Sequence, residues 1–221
     1  MIMRHVVLDT ETTGLSPDRG HRIVEIGCVE IQDSIVTGRT YHRYFNPERD
    51  MPDEAFRVHG LSQDFLAGHP TFEQHCEEFL DFISNATLVI HNAPFDMKFL
   101  NAELSLLKKP SLSNSVIDTL AVARKKFPGS PASLDALCRR FQVDTHHRKQ
   151  HGALLDAQLL THVYQLMSVK SLLHFSTPEQ KVSIDNRPFR TPRVFPICPH
   201  EKKQYQQMCD RVFSAKKPFS S

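Results

Sequence analysis

A chain of 221 residues with a formal net charge of +2 is long enough to bury one sizeable hydrophobic core. Its five cysteines show no Cys-x-x-Cys spacing, which argues against a zinc site or a disulfide framework. No apolar run approaches the roughly 18 residues that a membrane span needs. A strand pattern begins almost at Met1 and leaves no room for a signal peptide, so we expect a soluble, cytoplasmic protein.

The charge is unevenly distributed along the chain. Residues 168–221 contain ten Lys and Arg against four Asp and Glu, whereas residues 1–167 contain 17 against 21. Prolines also become frequent after residue 168, where the regular hydrophobic pattern fades. We therefore predict an acidic body at 1–167, a flexible linker at 168–190 and a basic C-terminal tail at 191–221.

The first predicted strand ends in two acidic residues. The apolar run Val6-Val7-Leu8 indicates a buried strand. Because strand side chains alternate between faces, Asp9 and Glu11 project to the same side and Thr10 to the other. Two like charges at the end of a buried strand need neutralisation, which a hard cation such as Mg²⁺ or Mn²⁺ provides. Taken alone, such a pair is more often two solvated acids at a sheet end.

The remaining elements predict an α/β fold. Two further strands, Ile23–Ile31 and Gly38–Phe45, follow through short links that favour antiparallel pairing. Later strands at Leu88–Ile90 and Ser115–Asp118 alternate with helices, as in parallel sheets. The predicted helices occupy Pro52–Val58, Phe72–Ile83, the segment after Pro94, the segment from Asp118 to Phe127, the segment after Ser133, and Ala153–Met167. The result is a mixed sheet, with three antiparallel strands followed by parallel strands, flanked by helices and followed by the tail.

Two more acidic residues fall at helix starts. Pro94 suits a first helical turn, which places Asp96 in the opening turn of that helix. His151 and Asp156 are five residues apart, which on one helix separates side chains by roughly 140°. The simpler arrangement therefore puts His151 on a loop and Asp156 within the last helix, with Gly152 between them. A solvated histidine and an aspartate that responds to the helix dipole remain alternatives.

Together these groups resemble the DEDDh family of 3′→5′ exonucleases, whose fold is ribonuclease H-like. The matching motifs, in chain order, are Asp9-Thr10-Glu11-Thr12-Thr13-Gly14, His91-Asn92-x-x-Phe95-Asp96, and His151 with Asp156. Further segments resemble the branch of this family that proofreads for bacterial replicative polymerases. These are Val58-His59-Gly60-Leu61, Asp118-Thr119-Leu120-Ala121, Ser133-Leu134-Asp135 and His151-Gly152-Ala153-Leu154-Leu155-Asp156.

The resemblance implies a two-metal phosphodiester hydrolase that releases nucleoside 5′-monophosphates. The implied catalytic set is His151 as general base with the metal ligands Asp9, Glu11, Asp96 and Asp156, which hold two Mg²⁺ or Mn²⁺ ions. The implied contacts to the terminal nucleotide are Asp9, Glu11, Thr12, Leu15, Glu54, His59 and Asp156. Leu15 would wedge between the last two bases, although an ordinary turn residue remains an alternative. A surface or capping role remains open for His59. Phe95 is expected in the core, with packing on the substrate as the alternative.

The resemblance also implies partners. The first is a single-stranded or frayed DNA 3′ end. The second is the catalytic (alpha) subunit of polymerase III, bound through the tail. The others are the sliding clamp, bound weakly through residues 170–175, and a small theta-like subunit. Lys170 stands where the clamp motif has glutamine, and a disordered basic tail is the alternative to a docking segment. Two other functions remain open: a free-standing enzyme that trims RNA or short oligonucleotides, and a non-catalytic binding scaffold.

Overall fold

The structure, a computed structural model, describes residues 3–146 and 150–174, with side chains of the last helix described through Ser168. The predicted tail, at 191–221, lies outside the described residues. So does the predicted linker from residue 175 on, together with the side chains of the 170–175 segment.

A five-stranded mixed sheet forms the centre of the fold. Its strands are β1 (Arg4–Thr12), β2 (Ile23–Gln32), β3 (Ile35–Tyr44), β4 (Thr87–Ile90) and β5 (Val116–Asp118), in the spatial order β3-β2-β1-β4-β5. β1 pairs antiparallel with β2 and parallel with β4, which confirms the predicted mixed sheet. β3 begins three residues earlier than predicted. Asp33 and Ser34 both take positive φ angles, 48° and 68°, and so form a tight hairpin turn directly before it.

Seven α-helices flank the sheet within the part of the chain that the structure describes. They are α1 (Asp53–His59), α2 (Gln63–Ala67), α3 (Phe72–Ile83), α4 (Ala93–Leu106), α5 (Thr119–Lys126), α6 (Leu134–Phe141) and α7 (Ala153–His174). A short 3₁₀ helix spans Pro17–Arg19. The sequence did not predict α2, because five residues are too few to show a helical period. α7 continues to His174, beyond the predicted end at Met167.

Two hydrophobic clusters cover the two faces of β1. Val6 and Leu8 pack with side chains of α3 and α4, whereas Val7 packs with side chains of α6 and α7. This alternation continues to the end of the strand. Asp9 and Glu11 therefore belong to the α7 side of the sheet, and Thr10 belongs to the α4 side.

Within residues 3–146 and 150–174, no helix is both long enough and apolar enough to cross a membrane.

Candidate active site

Two adjoining cavities open where β1 ends. The smaller one, which we call the acidic cavity, has a volume of about 260 Å³ and contains all five predicted catalytic residues. Its lining consists of Asp9, Thr10, Glu11, His91, Phe95, Asp96, Ser133, Leu134, Asp135, His151 and Asp156. The sheet end thus brings together residues from the first, second and third sequence motifs.

The second cavity, which we call the large cavity, has a volume of about 750 Å³. Thr12, Leu15, Glu54 and His59, the remaining residues predicted to bind the terminal nucleotide, all line it. The rest of its lining includes Thr13, Gly14, Ser16, Asp18, Arg19, His21, Pro52, Ala55 and Val58. Thr10, Glu11 and Phe95 line both cavities, so the two spaces share a wall.

A glycine on β2 lets α7 approach the sheet closely. Gly27 pairs with Asp9 across the β1–β2 ladder. A Cβ atom at Gly27 would lie 2.2 Å from the backbone nitrogen of Leu154, in the first turn of α7. Because this turn also carries Asp156, the close packing brings Asp156 beside the acids of β1. Ligand atoms of Glu11, His151 and Asp156 lie within 4.8 Å of one another, a spacing that one metal ion can bridge.

Asp96 reaches the acidic cavity from the other face of the sheet. It lies in the first turn of α4 and is 3% exposed. Thr10 Oγ1 donates a 2.7 Å hydrogen bond to Oδ1 of Asp96, and this bond fixes the carboxylate at the strand end. Burial raises the pKa of Asp96 to about 7, although the hydrogen bond from Thr10 acts in the opposite direction.

Asp9 is surrounded by the other acids. Its pKa is raised well above the usual value, first by burial and then by the charges of Asp96, Glu11, Asp156 and Glu25. Carboxylates that destabilise one another in this way favour a bound cation, and their oxygens are the ligands that hard divalent ions prefer. The donor set therefore fits a divalent metal.

His151 lies on the loop before α7, beside Asp156. Its Nδ1 is 3.1 Å from Oδ2 of Asp156, and its side chain is 46% exposed whereas that of Asp156 is 4% exposed. The backbone nitrogen of His151 donates a 3.2 Å hydrogen bond to the carbonyl oxygen of Val58 in α1. The ring is therefore oriented by a carboxylate and remains open to solvent.

Two of the predicted nucleotide-binding residues in the large cavity, His59 and Leu15, differ strongly in burial. His59 is only 4% exposed, which excludes the surface alternative. Its Nδ1 accepts a hydrogen bond from the backbone nitrogen of Leu61, whereas its Nε2 has no hydrogen-bond partner in the described part of the chain. Burial lowers the pKa of His59, which favours the neutral ring. Leu15 is 86% exposed at the rim.

Phe95 packs against the core, as expected, but is not fully buried. Its ring packs against Phe99, with centroids 5.1 Å apart, and is only partly buried. The side chain also lines both cavities, because the first turn of α4 lies at the sheet end. Phe95 therefore joins the core to the site.

Several lining residues were not predicted. Thr10 holds Asp96, and His21 Nδ1 lies 3.2 Å from Thr13 Oγ1 beneath the loop that leads to Leu15. Asp135, at the start of α6, also lines the acidic cavity. Contacts between distant elements place these residues, and no local pattern indicates them. Asp135 does belong to a segment that resembles the family, Ser133-Leu134-Asp135, but the resemblance gives this segment no role in the site.

Comparisons with known proteins agree with this geometry. The family model described as Exonuclease matches residues 6–164. The chain is 51% identical over 188 residues to the DNA polymerase III subunit epsilon of Rickettsia felis, covering 83% of this chain and 82% of that protein. It is 50% identical over 175 residues to the same subunit of Escherichia coli, and this match covers 76% of this chain and 72% of that protein.

A solved structure shares the fold. The nuclease domain of 3′hExo, a DEDDh family member bound to rAMP, superposes with a TM-score of 0.65 at 19% identity. The match covers 76% of this chain and 92% of that domain.

The fold and the acidic site define an exonuclease of the ribonuclease H-like class. More narrowly, the chain belongs to the family of DNA polymerase III epsilon subunits within the exonucleases. It is a metal-dependent 3′→5′ exonuclease.

Proposed function

We propose that this protein is the proofreading exonuclease of a bacterial replicative polymerase. It removes mispaired 3′-terminal nucleotides from DNA as 5′-monophosphates. The observation that carries the proposal is the meeting of Asp9, Glu11, Asp96, Asp156 and His151 in one cavity, next to a larger cavity suited to a nucleotide.

The four carboxylates are the proposed metal ligands. When bound, two Mg²⁺ or Mn²⁺ ions stabilise the attacking and leaving oxygens of an in-line displacement at phosphorus. Asp9 would hold metal together with Glu11, Asp96 and Asp156, whose charges all act on its carboxyl group. Thr10 keeps Asp96 in place for this purpose.

His151 is the proposed general base. The contact with Asp156 orients the imidazole, and its exposure lets it accept a proton from the attacking water. Histidine is the side chain that most often serves as a general base.

The large cavity is the proposed site of the terminal nucleotide. Its volume of about 750 Å³ lies within the range of ligand sites, about 300–1,000 Å³. His59 lines this space together with Thr12 and Glu54, and these three side chains are the proposed polar contacts to the nucleotide. Leu15 stands exposed at the rim, where it can separate the last two bases. Mispaired ends are then preferred because they fray more readily.

The proposed partners follow from the family. The relatives are named as subunits of DNA polymerase III, which supports association with that enzyme and with DNA. In finer detail, we propose that residues 191–221 bind the alpha subunit and that residues 170–175 bind the sliding clamp weakly. A small theta-like subunit is the third proposed protein partner. Because its proposed substrate is the bacterial chromosome, the proposed location of the protein is the cytoplasm.

The test is release of single nucleotides from a 3′-mispaired DNA primer by the full chain. The reactions contain Mg²⁺ or EDTA, with and without the cognate alpha subunit, and a matched RNA primer serves as the second substrate. Asp9→Asn is compared with Asp64→Asn, which removes an exposed carboxylate on α2.

We expect Mg²⁺-dependent release from DNA that Asp9→Asn abolishes, that Asp64→Asn leaves unchanged and that alpha stimulates. Preference for RNA with no response to alpha would replace the proposal with a free-standing trimming enzyme. Absence of any release would leave a binding scaffold instead.

A further inference from the structure

Two segments far apart in the sequence meet beside the acidic cavity. The backbone nitrogen of His151 donates to the carbonyl oxygen of Val58, at 3.2 Å. Val58 is near the end of α1, and the last four carbonyls of a helix lack partners within the helix. The loop that carries His151 therefore satisfies a free carbonyl at the carboxyl end of α1.

A second contact supports the same junction. Gly60 ends α1 with φ at 72°, a conformation that glycine adopts without strain. A Cβ atom at this position would lie 2.2 Å from Oε1 of Gln150 and 2.6 Å from its Cδ. The side-chain amide of Gln150 thus lies directly over the Cα atom of Gly60, where a larger residue would displace it.

The same helix faces the proposed nucleotide. Glu54 and His59 of α1 both line the large cavity, and the buried Nε2 of His59 has no partner in the described part of the chain. α1 therefore contacts the nucleotide site on one side and the His151 loop at its end.

We propose that the carboxyl end of α1 positions His151. A nucleotide bound in the large cavity restrains α1, and α1 in turn holds the general base over the acidic cavity. This inference rests on the proposed function. A nucleotide that contacts Glu54 and His59 restrains α1, and the hydrogen bond between the backbone nitrogen of His151 and the carbonyl oxygen of Val58 passes that restraint to His151. Gly60 is thus a positioning residue, because the absence of a side chain there leaves room for Gln150 and for this hydrogen bond.

The first experiment is a double-mutant cycle on turnover of single-stranded DNA. Gly60→Ala introduces a Cβ atom that displaces the Gln150 amide, so we expect kcat to fall about tenfold, since small misplacements of catalytic groups have effects of this order or larger. KM should change much less than kcat. Gly129→Ala is the matched control, because Gly129 has a φ of 74° but no heavy atom within 4 Å of where an added Cβ would lie.

The cycle separates the steric effect from backbone strain. Gln150→Ala removes the displaced amide, so the double variant Gly60→Ala/Gln150→Ala should recover much of the lost kcat. A double variant no faster than Gly60→Ala would overturn the proposal, as would a Gly129→Ala variant with the same loss. If the wild type fails to hydrolyse DNA, the proposed function fails instead, and the second experiment decides this inference.

The second experiment needs no turnover. Hydrogen exchange is followed at the backbone amide of His151, with Mg²⁺ alone and with Mg²⁺ plus deoxythymidine 5′-monophosphate. The nucleotide should slow exchange in the wild type and in Gly129→Ala, and should slow it much less in Gly60→Ala. Equal protection in all three proteins, or none in the wild type, would overturn the proposal.

Discussion

Thr10 and Asp96 come from different elements and meet at the end of the sheet, where Thr10 Oγ1 donates a 2.7 Å hydrogen bond to Oδ1 of Asp96. Thr10 lies on the face of β1 opposite to Asp9 and Glu11. The strand therefore supplies two acids from one face and, from the other face, the hydroxyl that holds a third acid.

Thr10→Val should impair the enzyme most at low pH. Hydrogen bonds to charged groups contribute about 1.5–3 kcal/mol, and their loss disfavours the ionised form of Asp96. The pKa of Asp96 should then rise above its present value of about 7, so activity should fall about tenfold near neutrality and recover partly at alkaline pH. The measurement is the pH dependence of kcat/KM.

Thr161→Val is the matched control for that variant. Thr161 is buried in α7, and its hydroxyl donates to the carbonyl oxygen of Ala157. Thr161→Val therefore removes the same group as Thr10→Val, but a hydroxyl that is bonded to the backbone of its own helix and not to Asp96. Superimposable pH profiles for the two variants would contradict the role assigned to Thr10.

Metal binding should stabilise the protein more at pH 8 than at pH 6. The folded-state pKa of Asp96 is raised to about 7, so the metal-free folded protein binds more protons than the unfolded chain between the ordinary aspartate pKa and that value. Stability without metal therefore falls as pH rises through this window. Divalent ions bind the deprotonated carboxylates, so their stabilising effect grows over the same range.

Thermal denaturation with EDTA or Mg²⁺ at the two pH values measures this dependence. Asp96→Asn removes the titrating group, so it should raise the melting temperature in EDTA at pH 8 and should reduce the shift that Mg²⁺ produces. A Mg²⁺ shift as large at pH 6 as at pH 8 would be inconsistent with the raised pKa.

His151→Gln should separate chemistry from metal binding. Loss of a general base typically lowers the rate by a factor of about 10²–10⁴, so kcat should fall by at least about a hundredfold. Asp9, Glu11 and Asp96 are unchanged, so Mg²⁺ should still raise the melting temperature. His162→Gln, at an exposed position of α7, should retain full activity. A variant that lost the Mg²⁺ shift would identify His151 as a metal ligand instead.

Gly27→Ala should destabilise the fold and inactivate the enzyme together. Its Cβ atom would meet backbone atoms of Ala153 and Leu154 at 2.2–2.3 Å, and backbone cannot swing aside as a side chain does. We expect a loss of about 3 kcal/mol in the free energy of unfolding, the upper part of the range for overpacking, with α7 and Asp156 displaced. Urea denaturation and nucleotide release measure the two effects.

Gly68→Ala is the control for Gly27→Ala. Gly68 has a φ of −82°. The atom nearest to a Cβ added at this position would be the carbonyl oxygen of Phe65, at 3.7 Å, which is an ordinary van der Waals contact. This variant should keep its stability and activity. Equal effects at both glycines would argue that α7 does not depend on close contact with β2.

The sequence predicted those parts of the site that depend on local periodicity. Alternation along β1 correctly grouped Asp9 with Glu11, and the spacing of His151 and Asp156 correctly placed one on a loop and the other in a helix. The mixed sheet also followed, since short links give antiparallel neighbours and intervening helices give parallel ones.

The parts that could not be predicted depend on contacts across the fold. Nothing near Thr10 in the sequence shows that its hydroxyl reaches Asp96, and nothing near Gly60 shows that Gln150 lies above it. The early start of β3 escapes prediction for a different reason. Its residues from Ile35 to Thr40 are all exposed, so the strand lacks the alternation that burial on one face imposes.

The close approach of α7 to Gly27 also has a consequence for how the protein is made. A ribosome delivers Asp9 and Glu11 near the beginning of synthesis, but Asp156 joins them only when α7 has emerged and has docked on β2. Until then the nascent chain has no complete ligand set. A nuclease arranged in this way acquires its full set of acidic ligands only after α7 has been synthesised and has packed against β2.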